Sequence, residues 1–135
     1  MNIVIDTNIL VRIMMNDDAA QASAALKTIN NASEICIPTH VLCEYSWTLS
    51  SFYKRGKAMI AEDIRDIMNL KKVVIKMDEA EAGLRFLDAG GDFADGVIAY
   101  TGGKMASGPA TFVSFDRKTI SLLHGRGVAA MIPPL

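Results

Sequence analysis

Four carboxylates stand where an α/β chain can use them for chemistry. Asp6 ends the apolar run Ile3-Val4-Ile5, and Asp116 follows Thr111-Phe112-Val113-Ser114. Glu44 falls in the second turn after Pro38, and Asp95 in the first turn of a segment starting near Phe93. In open parallel sheets, ligands bind outside the carboxyl ends of the strands, so the pattern predicts that all four meet at one sheet edge. Carboxylates within ~4–6 Å of each other repel, and a pKa rises unless a cation intervenes. Hard divalent cations answer that need, and Mg²⁺ or Mn²⁺ takes carboxylates while keeping several waters. Such a site activates water and neutralises phosphoryl charge.

Each acid also has an ordinary reading. Asp6, followed by Thr7-Asn8, is a good cap for the next helix, and Asp116 before Arg117-Lys118 is another. Asp92 and Asp95 suit the N-cap and N3 positions of one helix, and for Asp92 capping is the better reading. Glu44 lies at the margin of the apolar stripe Val41, Tyr45, Thr48, Leu49 and Phe52. No Lys or Arg occurs between Asn31 and Tyr53, so no local partner is expected for it, and His40 reads as a partly exposed helix residue. Singly these readings suffice; four acids at one edge are harder to explain as caps.

The elements that must position these acids alternate. Short strands are expected at Asn2–Ile5, Glu34–Ile37, Val73–Ile75, Thr111–Ser114 and Val128–Ile132. Helical patterns run through Ile9–Met14, from Asp17 or Asp18 to about Ala32, and from Pro38, as first helical residue, to about Arg55 before Gly56. Others cover Ala61–Leu70, Asp78–Leu87, a segment from Phe93, and Lys118–Leu123. Apolar strands separated by helices predict a three-layer α/β/α sandwich, with a four- to five-stranded, mainly parallel sheet covered on both faces. The 135 residues fit one domain, 1–135.

Half the residues are hydrophobic, which excludes disorder. Fourteen basic residues against fifteen acidic ones, a net charge of −1, exclude a generic polycationic nucleic-acid binder. No signal peptide or membrane-spanning run is visible, so a cytoplasmic protein away from membranes is expected. Cys36 and Cys43 lack metal-ligand spacing and read as reduced, buried core residues. Six of ten glycines fall between residues 90 and 108. Loops flanking a weak helix are the simpler reading; close backbone approach is the other.

In order, Ile3-Val4-Ile5-Asp6-Thr7-Asn8, Ile37-Pro38-Thr39 leading to Cys43-Glu44, Asp92-Phe93-Ala94-Asp95-Gly96-Val97-Ile98-Ala99 and Thr111-Phe112-Val113-Ser114-Phe115-Asp116-Arg117 resemble the PIN domain, and more closely its VapC-type toxin ribonucleases. The resemblance spans nearly the whole chain. It implies a metal-dependent endoribonuclease, held inactive by a small cognate antitoxin and often a homodimer. By matching motifs it assigns Asp6, Glu44, Asp95 and Asp116 to an acidic quartet, supported by Asn8 and Ser114. Gly96 stands where the family often has Ala, and Thr101-Gly102-Gly103 replaces a more helix-favouring stretch.

On this reading RNA phosphodiester hydrolysis is the expected reaction. Asp6 and Asp95 hold the principal Mg²⁺, Glu44 positions or activates the water, and Asp116 completes the cluster or helps bind a second ion. Lys54-Arg55 with Lys57, Arg117-Lys118 with Arg126, and Arg12 are candidates for gripping phosphates, with a solvated surface as the alternative. Tyr45, Trp47, Phe52 and Tyr53 offer a protein-facing groove for the antitoxin, with core packing expected for at least half of them. Two rival classes are a non-catalytic PIN-like binding module and an aspartate-based phosphatase. The latter wants a second Asp two residues after Asp6, where this chain has Asn8. Setting the quartet aside leaves eleven acids against fourteen bases, a mildly basic body around an acidic site.

Overall fold

The structure, a computed structural model, describes residues 1–135 and divides into two compact units, Met1–Met77 and Asp78–Leu135. In the first unit the order is β1 (Asn2–Val4), α1 (Thr7–Met15), α2 (Ala19–Asn31), β2 (Glu34–Cys36), α3 (Thr39–Ser51), α4 (Lys57–Met68) and β3 (Val73–Val74). The three strands form one parallel sheet, ordered β1-β2-β3, with Ile3 beside Ile35 and Ile35 beside Val73. Helical crossovers between parallel neighbours are what short apolar strands with intervening helices require. The face carrying Ile5, Ile35 and Ile37 is buried, and Leu10, Val11, Val41, Leu42, Tyr45, Leu49, Ile60, Ile64 and Ile67 are buried with it. On the other face Val4 and Val74 are exposed and Cys36 is half-buried; helices alternating with small parallel sheets give the expected α/β/α class.

The second unit holds α5 (Met77–Asp88, whose first residue closes the first unit), α6 (Phe93–Met105), β4 (Phe112–Val113), α7 (Arg117–Gly125) and β5 (Ala130–Met131). β4 and β5 pair in parallel as a separate two-stranded sheet. The five expected strands are thus present and every pair is parallel, but hydrogen bonding joins them as three and two. The core here is Ala80, Leu84, Phe86, Leu87, Phe93, Val97, Ile120 and Leu123. The turn after α5 passes through Gly90, whose φ of +90° suits only glycine without strain. Gly96 lets α6 approach α5: a Cβ there would lie 2.6 Å from Phe86 Cβ and 2.7 Å from the Ala82 carbonyl oxygen. Close approach therefore explains that glycine, whereas Gly102 and Gly103 face open space.

Two helix boundaries correct the sequence reading. Pro38 is the N-cap of α3 rather than its first helical residue. α3 stops at Ser51, well before Gly56, because Lys54 takes the left-handed conformation (φ 55°) and the Arg55 amide closes back on the Leu49 carbonyl. That is the helix-ending turn in which glycine usually supplies the left-handed residue. Gly56 instead caps the start of α4. No helix is long and apolar enough to cross a membrane.

Candidate metal centre

Helix starts place the acids. Asp6 is the N-cap of α1 and accepts the Ile9 amide at 3.0 Å. Asp116 caps α7 and accepts the Thr119 amide at 3.1 Å. The capping readings of these two are therefore correct, and capping leaves each a second carboxylate oxygen. Asp92 is the N-cap of α6 but makes no side-chain cap bond. Its expected N-cap place is therefore observed, and in addition Asp92, Asp95 and Asp116 each offer an oxygen, with these lying within 4.8 Å of one another. The positive ends of α6 and α7 moderate the accumulated negative charge.

Asp95 is the half-buried member. Desolvation pushes its pKa above the usual carboxylate range, the Asp92 and Asp116 charges push the same way, and a hydrogen bond from Thr119 opposes them. Thr119 was not singled out by the sequence. It is buried, its hydroxyl donates to Asp95 Oδ2 at 3.1 Å, and its amide donates to Asp116 Oδ1. The amide bond follows from Thr119 standing three residues after a capping Asp. The hydroxyl bond reaches another helix and has no local signal. Ser114 supports the turn: its Oγ accepts the Asp116 amide at 3.0 Å.

In the first unit, Asp6, Thr7, Asn8, Val41, Glu44 and Thr48 line a recess of about 230 Å³. Glu44 is exposed rather than turned to the core, and its Oε1 lies 3.0 Å from His40 Nε2. His40 is the partner that a search for Lys and Arg misses. Thr7 Oγ1 is sealed from solvent without a hydrogen-bond partner. A buried hydroxyl without a partner is costly. Asp6, Asn8 and Glu44 bring oxygen donors to the recess, while the group with metal-ligand spacing is Asp92, Asp95 and Asp116. The donors in both units are hard oxygens, the set a Mg²⁺-class cation takes.

The PIN domain family model matches residues 3–121, running continuously through both units. The chain belongs to the PIN domain family. Neither a curated protein nor a solved structure matches it. PIN domains are generally nucleases and depend on divalent metal. Asp92, Asp95 and Asp116 form a group that could hold such an ion.

The cationic candidates of this PIN domain divide sharply. Arg12 is committed locally: Nε donates to Gln21 at 2.7 Å, and a terminal nitrogen to Asp17 at 3.1 Å. Arg55 forms a pair with the buried Asp63. Arg126 lies over the Phe86 ring and donates to the Arg85 carbonyl. Lys54, Arg117 and Lys118 are exposed. Of the aromatics, Tyr45 is buried and donates to Asp63, and Tyr53 donates to Asp17. Trp47 and Phe52 are exposed. The two cysteines are free thiols but only half-buried, so their reading as core residues is corrected.

Proposed function

We propose that this PIN domain is a Mg²⁺-dependent endoribonuclease and the toxin of a VapBC-type toxin–antitoxin pair, with Mn²⁺ able to substitute. The observation that carries the reading is the Asp92-Asp95-Asp116 group inside a PIN match over residues 3–121. The centre is taken to comprise Asp6, Glu44, Asp95 and Asp116, on the family match and the order of the motifs, and Asp92 joins its metal ligands. When bound, the ion lowers the pKa of water and offsets charge on the phosphoryl group.

The chain's own residues do the rest. Asp95 and Asp116 hold ligand oxygens at the starts of α6 and α7. Glu44 orients the attacking water and accepts its proton, with His40 bound to one of its oxygens. Ser114 holds the turn that follows β4, and Asn8 lines the recess beside Asp6 and Glu44. Lys54, Arg117 and Lys118 engage RNA phosphates, and Arg12 braces the turn between α1 and α2. Water adds to phosphorus, the bond to the departing ribose oxygen breaks, and that oxygen takes a proton from solvent. The protein works in the cytoplasm as a single 1–135 domain, as a homodimer, with a small antitoxin covering the acidic site.

The test is induced expression of wild type and Asp95→Ala, with sequencing of RNA 5′ ends. Growth arrest and discrete cuts in wild type alone support the reading. Identical RNA ends in both would leave a non-catalytic binding module as the better description. A small DNA-binding protein encoded next to the gene would support the toxin assignment. Sedimentation equilibrium showing a strict monomer would remove the dimer.

A further inference from the structure

We infer that Thr119 is a positioning residue for the divalent-ion site, and that it sets the site for a small octahedral cation rather than Ca²⁺. The inference rests on the metal-centre reading above and adds a residue and an ion preference to it.

Thr119 is an unexpected occupant of its place. It sits at the third position of α7 and is 3% exposed. A buried hydroxyl there requires a partner, and an apolar side chain of the same shape would need none. The partner is the Asp95 carboxylate, which belongs to a different helix. With its own amide on Asp116, one residue holds two carboxylates from two helix starts in a fixed relation. Partners that orient metal ligands in this way commonly govern affinity as strongly as weaker ligands do.

The bonds also select which oxygens remain. Asp95 Oδ2 and Asp116 Oδ1 are engaged by Thr119, whereas Asp95 Oδ1 and Asp116 Oδ2 are not. Each carboxylate is thereby set to offer one oxygen. Mg²⁺ and Mn²⁺ suit single-oxygen contacts completed by water in an octahedron; Ca²⁺ gains from carboxylates that give both oxygens to a larger shell. Thr119→Val removes the hydroxyl while keeping the shape and the amide bond to Asp116, so it isolates the link to Asp95.

The experiment is Mn²⁺ titration of the full chain, followed by electron paramagnetic resonance, with Mg²⁺ and Ca²⁺ as competitors. Wild type should bind Mn²⁺ saturably and release it to Mg²⁺ at lower concentration than to Ca²⁺. Thr119→Val should weaken Mn²⁺ binding by ~10–100-fold and narrow the gap between Mg²⁺ and Ca²⁺. Thr119→Ser should restore both. Should Thr119→Val not fold, Thr119→Ser against Thr119→Ala carries the same comparison of hydroxyl present and absent. Equal affinity with and without the hydroxyl overturns the inference, as does equal competition by Ca²⁺ in wild type. Wild type binding no ion at all overturns the metal-centre reading, and this inference with it.

Discussion

The Arg55 guanidinium grips the Asp63 carboxylate with two hydrogen bonds, Nε to Oδ2 at 2.7 Å and a terminal nitrogen to Oδ1 at 2.8 Å. Tyr45 adds a third bond to the same carboxylate at 3.0 Å. The network ties the end of α3 to α4, and Arg55 can reach inward because the chain turns at Lys54. Burial and the Asp63 charge push the Tyr45 phenol well above its usual range, so it stays a neutral donor. Removing one partner of a buried pair leaves the other uncompensated, and that is far costlier than losing a surface contact. Arg55→Ala is therefore expected to lower unfolding free energy by about 3 kcal/mol, since Asp63 remains buried. Urea denaturation checks this; a loss within the range of an exposed ion pair would show the network to be incidental.

Helix α6 supplies a prediction in which two glycines respond oppositely. Gly96→Ala gains about 1 kcal/mol of helix propensity. It also drives a Cβ to 2.6 Å from Phe86 Cβ and 2.7 Å from the Ala82 carbonyl oxygen. Overpacking costs about 1–3 kcal/mol, and backbone atoms cannot swing aside, so destabilisation wins. Because Gly96 follows Asp95, a displaced α6 should also weaken divalent-ion binding. Gly102→Ala meets nothing within 4 Å and should stabilise by about 0.5–1 kcal/mol. Thermal melts of the two variants should move in opposite directions. Movement in the same direction would mean that α6 does not lie this close to α5.

These cases show what the sequence could and could not carry. Short apolar runs marked all five strands; Asp, Pro or Gly bounds four of them, because strand ends need turn chemistry, and Lys72 and Lys76 flank Val73–Ile75. The capping roles of Asp6 and Asp116 were legible, since a cap is local and reads from three residues. Asp92 was harder: its position as N-cap was legible, but whether its carboxylate closed the cap or turned to Asp95 and Asp116 depends on another helix. Arg55 read as one of a basic run beside Lys54 and Lys57, and nothing local reveals a partner in the middle of α4. The Thr119 hydroxyl is hidden for the same reason. The candidate acids and the local bonds that cap Asp6 and Asp116 were visible in the chain; the Thr119 bond to Asp95 is long-range.

Acid stability should show a contribution from the start of α5. Tyr100 donates to Asp78 Oδ2 at 2.8 Å, and Lys104 lies 3.1 Å from the same oxygen. The Tyr100 bond, then the Lys104 bond, hold the Asp78 pKa down at about 2, from an ordinary value of 3.8. A depressed folded pKa contributes stability that is present above the unfolded value and is lost as pH falls through the folded one. Between pH 4 and pH 2 the wild-type midpoint should therefore fall more steeply than that of Asp78→Asn. Both groups are exposed, so the effect should be small and should shrink with added salt. Parallel acid legs would remove Asp78 from the account.

Asp95 should show the opposite sign. Burial, then the charges of Asp92 and Asp116, raise its folded pKa against the opposing Thr119 bond. Its contribution is favourable below the ordinary value of 3.8 and is lost as pH rises through the raised one. At neutral pH the metal-free protein thus carries a carboxylate it holds at a disadvantage, the pattern expected where function opposes stability. Asp95→Asn should raise the melting temperature in a chelating buffer by about 2–4 °C. Adding Mg²⁺ or Mn²⁺ should raise the wild-type midpoint with the logarithm of ion concentration above Kd and leave Asp95→Asn nearly unmoved. A variant that melts lower than wild type without metal would show that the Thr119 bond outweighs desolvation at Asp95. Equal metal-induced shifts in both proteins would remove Asp95 from the ligand set.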